Sequence, residues 1–161
     1  MSTIAPFMTI GQVPVYKLYD GSYCFLAGMD IDGDGSGGNL ENDPDFQPTT
    51  SLRNPDGSSL NSRAECGIVL PGKLMRAFQE IALGCRAYVR SGLTGLFTDA
   101  VVAVGGPDDK IGEAFIATAK MMGIPTSPTT GGDQQPFYFY RFWPAQAATV
   151  NGKTYHLQPL A

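Results

Sequence analysis

The chain contains a single histidine, His156. A zinc site of the His-Glu-x-x-His type needs two histidines on one helix face, so that chemistry is excluded. A Ser-His-Asp or Cys-His mechanism would rest on His156 alone, and no Gly-x-Ser-x-Gly elbow accompanies it. Cysteine is scarce as well: Cys24, Cys66 and Cys85 are odd in number and show no Cys-x-x-Cys spacing. At least one thiol therefore stays free within the chain, and buried thiols act as small hydrophobes. Charged residues make up 16% of the sequence, against roughly 25% in ordinary soluble domains. With 11 basic and 15 acidic residues the net charge is −4 and there is no basic stripe, so nucleic acid is not an expected partner. No run approaches the roughly 20 apolar residues of a membrane span. The first residues, MSTIAPFMTIGQVPVYKLYD, lack the basic start and apolar core of a signal peptide. That leaves the localisation open: a protein acting on an external polymer would need a dedicated secretion route, lysis or a leader already removed.

What the sequence does have is turn chemistry. The 161 residues include 20 glycines and 12 prolines with 43% hydrophobic content, which suits one β-rich domain with many short strands. Residues 13–19 and 22–29 read as a hairpin around Asp20-Gly21. Residues 36–63 form a long polar segment, a length that in a compact domain is functional or mobile. Residues 64–70 read as a strand closing at Pro71-Gly72, followed by a helix through Leu74, Phe78, Ile81 and Cys85. Residues 86–90 and 96–104 are strands around Ser91-Gly92, and residues 150–157 give a last strand with a turn at Asn151-Gly152.

The stretch 100–124, AVVAVGGPDDKIGEAFIATAKMMGI, organises the rest. Its first five residues are small or β-branched and suit a strand buried on both faces. Gly105-Gly106-Pro107-Asp108-Asp109 supplies a turn. From Gly112 a helix is expected, with Phe115, Ala119 and Met122 on one side and a stop at Gly123-Ile124-Pro125. That places Glu113 near a helix N-terminus at the end of a buried strand. A carboxylate there fits chemistry, and equally fits a plain helix start, where the dipole favours it.

A second stretch, Asp30-Ile31-Asp32-Gly33-Asp34-Gly35, continues to Glu41 with the D-x-[DN]-x-[DN]-G-x₅-E spacing of a calcium loop. The context is not that of an EF-hand: a strand precedes it, and Asn42-Asp43-Pro44-Asp45 cannot start a regular helix. Two uses remain open, a calcium clamp built from Asp30, Asp32, Asp34 and Glu41, or carboxylates facing a cationic substrate.

These motifs together resemble glycoside hydrolase family 75, the fungal and bacterial chitosanases. Lys110-Ile111-Gly112-Glu113-Ala114, Gly106-Pro107, Gly123-Ile124, Met29-Asp30-Ile31-Asp32-Gly33-Asp34-Gly35 and Val69-Leu70-Pro71-Gly72 follow that family's pattern. The strand, Gly-Pro and helix order is also similar to expansins and septal-ring lytic transglycosylases. The resemblance, from about residue 13 to 144, implies a β-rich α+β fold: a six-stranded double-psi-like β-barrel with one or two short helices. It implies hydrolysis of a β-1,4-linked amino-sugar polymer such as chitosan, with Glu113 as general acid or base. It also implies Asp30, Asp32, Asp34 and Lys110 as substrate-facing residues. At one position the chain departs from the pattern, since the acid that precedes Gly-Pro in the family falls on Val104.

Glycoside hydrolysis uses two carboxyl groups, and valine is not one. Asp108 and Asp109, in the adjoining turn, are the nearest acids in sequence to take over, with Asp108 the first choice; Asp30 or Asp32 could reach the cleft from the other loop. Residues 136–144, PFYFYRFWP, are almost wholly aromatic. In a strand, Tyr138, Tyr140 and Phe142 share one face and Phe137, Phe139, Arg141 and Trp143 the other. One face belongs to the core, and Tyr138 and Tyr140 are candidates for stacking on sugar rings. A silent glycan-binding module and a calcium-stabilised structural or assembly protein are the competing classes.

Overall fold

The computed structural model describes residues 4–160. A first hairpin, β1 (Met8–Ile10) and β2 (Val13–Lys17), leads into the long strand β3 (Tyr23–Asp32). After the polar segment come β4 (Gly67–Pro71), the single-turn helix α1 (Gly72–Ala77), β5 (Cys85–Ser91) and β6 (Phe97–Gly106). Then follow β7 (Glu113–Phe115), α2 (Ile116–Met122) and β8 (Asp133–Ala147), with a small hairpin of β9 (Thr149–Val150) and β10 (Lys153–Thr154). Strands pair in the order β3-β7-β4-β6-β5-β8, and β8 returns to β3, closing a six-stranded barrel. The β3–β7 and β4–β6 pairs are parallel and the others antiparallel. The fold is thus β-rich, a closed mixed barrel with two extra strands, β1 and β2, on its side and two short helices.

Alternation fills the barrel. Tyr23, Phe25, Ala27, Met29 and Ile31 of β3 point inward, as do Ala87 and Val89 of β5 and Tyr138, Tyr140 and Phe142 of β8. Phe25 stacks on Tyr140 with centroids 4.6 Å apart, and Tyr23 on Phe142 at 5.5 Å. Such pairs add about 0.5–1.5 kcal/mol each beyond their buried area.

Three sequence expectations fail, and the long polar segment proves to be packed. Residues 113–115 are strand, not helix. Gly112 has φ +93, and a Cβ there would lie 2.8 Å from Ala27 Cβ and Gly28 O. That close approach lets the Asp30 N–H donate to Gly112 O at 2.9 Å, so pairing to β3 continues and the helix waits until Ile116. Its end is as expected, with Gly123 at φ 73 and its N–H turned back on Lys120 O. The helix after Gly72 stops at Ala77, because Phe78 is extended at φ −147; Ile81 is buried in a turn and Cys85 opens β5. Residues 36–63 contain no named helix or strand, yet they are packed: Leu52 and Leu60 are fully buried. Leu52 N–H donates to Ala103 O at 2.9 Å and Ser62 O accepts from Ala117 N–H. Finally, residues 149–154 form a tight hairpin through Asn151 (φ 50) and Gly152 (φ 81), the positive-φ pair of a type I′ turn, and His156 lies exposed beyond it, outside any strand.

Candidate active site

The site sits where β3 ends beside its parallel neighbour β7, which Glu113 opens. Their register pairs Asp30 with Glu113 and Asp32 with Phe115. Residues two apart on a strand share a face, so Asp30, Asp32 and Glu113 gather on one side. The next strand over, β4, pairs Val69 with Glu113, and β6 pairs Val104 with Val69. Asp30, Glu113, Val69 and Val104 therefore form one row across four neighbouring strands. The alignment depends on a bulge. Ile68 faces Val102 but Val69 faces Val104, leaving Ala103 as the extra residue; bulges re-aim side chains in this way. Val104 is thus two strand spacings from Glu113, about 9–10 Å between Cα atoms.

An acidic cleft of about 160 Å³ opens at this point, lined by Asp32, Asp34, Asp43, Asp45, Lys110 and Glu113, with Pro128 at its rim. Gly33 admits that rim, since a Cβ there would fall 2.6 Å from Pro128 Cγ. Lys110 bridges two carboxylates, its Nζ 3.2 Å from Asp30 Oδ2 and 3.3 Å from Glu113 Oε2. Gln134 donates to the other oxygen of Asp30. Asp34 N–H donates to Asp32 Oδ1 at 2.8 Å, and Gln47 N–H to Asp34 Oδ1 at 2.7 Å.

Burial sets the protonation here. Asp32 is only 6% exposed. Loss of water around it pushes its carboxyl up to about 7; the Asp34 N–H pulls the other way, while the charges of Asp34 and Glu113 push further up. Burial also raises Glu113, with Lys110 opposing, and raises Asp34, with the Gln47 N–H opposing. Burial weakens the Lys110 ammonium, but Glu113 and Asp30 outweigh it and its pKa ends above the usual value. Three carboxyl groups with upward shifts, one near neutrality, thus line one cleft; perturbed carboxyls gathered in a cleft mark a candidate functional site.

Several expected residues lie elsewhere. Asp108 does not join Glu113: it is exposed and held by both oxygens on Arg76, at 2.6 and 2.7 Å. Tyr138 and Tyr140 are not a stacking platform, because both are buried in the barrel. Their hydroxyls donate to Asp133 Oδ2 at 2.7 Å and to Gly28 O at 2.8 Å. The calcium clamp is not formed either. Glu41 turns away onto Arg63, and among the described residues no three acidic, histidine or cysteine side chains gather as metal donors. Sequence reasoning also missed Asp43 and Asp45, whose only signal was an acidic pair around Pro44 in the long polar segment. All three cysteines are free, with Cys66 and Cys85 buried and Cys24 half-buried. No helix among the described residues is long and apolar enough to cross a membrane.

No protein-family model matches this chain, and no curated protein matches it.

Proposed function

We propose that the protein is a chitosanase-like glycoside hydrolase acting on a β-1,4-linked amino-sugar polymer, with Glu113 and Asp32 as its two carboxyl groups. The observation that carries this reading is their meeting at one acidic cleft on adjacent parallel strands, both with raised pKa values. Asp32, at about 7, is protonated at mildly acidic pH and gives its proton to the leaving glycosidic oxygen. Glu113, whose charge Lys110 favours, takes a proton from the water whose oxygen bonds the anomeric carbon. The remaining carboxylates, Asp30, Asp34, Asp43 and Asp45, supply negative charge for the substrate's ammonium groups.

The position of Val104 favours a second reading, a glycan-binding domain that does not cut. Valine stands in the row with Glu113, where an acid would have the roughly 6.5–9.5 Å reach between carboxyl groups used by inverting glycosidases.

Reducing-end release from chitosan separates the two. Turnover by the wild type, reduced about 100-fold or more in Glu113→Gln and in Asp32→Asn and falling above pH 7, supports the pair. A silent wild type that gains activity as Val104→Asp, together with binding of chitosan oligomers, establishes the second reading. Silence in all of them without binding overturns both.

A further inference from the structure

The acids of the cleft are not treated alike by the one cation among them. The Lys110 ammonium lies 3.2 Å from Asp30 Oδ2 and 3.3 Å from Glu113 Oε2. Among the described residues no ion pair joins it to Asp32, and it is the only basic side chain lining the cleft. Its place is fixed from both ends. Along the backbone, Lys110 N–H donates to Pro107 O at 3.4 Å, and Gly112 O two residues on accepts from Asp30 N–H at 2.9 Å. At the side-chain end, Asp30 receives the ammonium on one oxygen while Gln134, near the start of β8, donates to the other.

No other neighbour of Glu113 brings a positive charge. Asp30 and Asp32 lie beside it on β3, Asp34 on the loop that follows, and Asp43 and Asp45 across the cleft. From β4 comes Val69, and the Tyr140 hydroxyl of β8 is committed to Gly28 O at 2.8 Å. Asp32 and Asp34 each accept a backbone N–H, at 2.8 and 2.7 Å. Glu113 has Lys110 instead. Burial, Asp30 and Asp34 push the Glu113 carboxyl up, and Lys110 pulls it down.

Resting on the hydrolase reading of this cleft, we infer that Lys110 is a positioning residue: seated by Asp30, its ammonium keeps Glu113 charged as the base and leaves the proton on Asp32. Crowded carboxyls without a cation resist ionising together and share their protons, so the acid and base roles would blur. The pairing also suits a cationic polymer. A free lysine would repel the substrate's ammonium groups, whereas one matched by two carboxylates does not.

Carbon-detected NMR of the Glu113 side-chain carboxyl measures its charge directly, from acidic to neutral pH, in the wild type, Lys110→Met and Lys110→Arg. Lys110 is exposed, and circular dichroism checks that each variant is folded. In Lys110→Met the Glu113 midpoint is expected to rise by about one pH unit or more, roughly a tenfold gain in proton affinity. Lys110→Arg, which keeps the charge, is expected to titrate close to the wild type. The acid limb of reducing-end release from chitosan moves up with the midpoint in Lys110→Met, with KM little changed. An unmoved midpoint overturns the inference. So does an equal rise in Lys110→Arg, which would mark lost packing and not lost charge, and so does an acid limb that stays in place while the midpoint moves. A wild type that releases no reducing ends fails the hydrolase reading alone, because the NMR midpoint still decides whether Lys110 sets the charge of Glu113.

Discussion

Asp32 illustrates how one residue couples the site to the stability of the molecule. Its carboxyl moves from an ordinary 3.8 in the unfolded chain to about 7 when folded, so the native state holds the proton more tightly. The sign follows from linkage: stability is full below pH 4, declines as pH rises between the two values, and is lowest above pH 7. The loss is on the order of 4 kcal/mol at most. Asp32→Asn keeps an oxygen for the Asp34 N–H and cannot ionise. Urea unfolding at pH 8 is expected to find the asparagine protein more stable than wild type by a few kcal/mol, with the difference vanishing near pH 4. Equal stability at both values would mean that Asp32 is not held in its raised state by burial. A gain of stability with a loss of turnover is what a functional carboxyl produces and a structural one does not.

At the scale of elements, the segment 36–63 behaves as a packed wall although it has no helix or strand of its own. Leu52 sits under it fully buried and docks its N–H on the carbonyl of the bulged Ala103. Leu52→Ala is expected to cost about 2–5 kcal/mol, read from the urea midpoint; a cost near zero would mark the segment as a loose flap. The same segment explains what calcium should do. Because Glu41 is committed to Arg63 and the aspartates are tied to local N–H groups, millimolar calcium is expected to leave the melting temperature unchanged, and a rise of several degrees would contradict that. Much of this level was legible beforehand. Apolar alternation and turn residues found β2, β3, β5 and β8, an unbroken run of small and β-branched residues found β6, and the glycine stop of α2 was plain from Gly123-Ile124-Pro125. Glu113 and Asp32 were named from their motifs. What sequence could not supply was contact at a distance. Only the approach of Gly112 to Gly28 O makes residues 113–115 a strand, and only the folded cleft brings Asp32 to Glu113, with Asp30 opposite Glu113 in the register and Asp108 drawn away to Arg76. Tyr138 and Tyr140 were placed on the correct shared face of their strand, but which face turns inward is fixed by barrel closure, not by alternation.

For the whole molecule, closure means that stability, cleft and outer face are properties of one ring of strands. The acidic cleft belongs to β3 and β7, the outer stack of Arg86 and Arg141 on Trp143 to β5 and β8, and β3 and β8 join them. The ring also has an order in time. Its closing seam pairs residues 23–27 with residues 138–142, so β3 leaves the ribosome and waits for a partner that follows more than a hundred residues later. At about 5–20 residues per second, that wait is many seconds, during which β3 and β5 both lack the strand that will lie between them. Synthesis, and not only equilibrium, therefore bears on this fold: until β8 arrives, the nascent chain carries two unpaired strand edges that a neighbouring nascent chain, or a chaperone, can reach first.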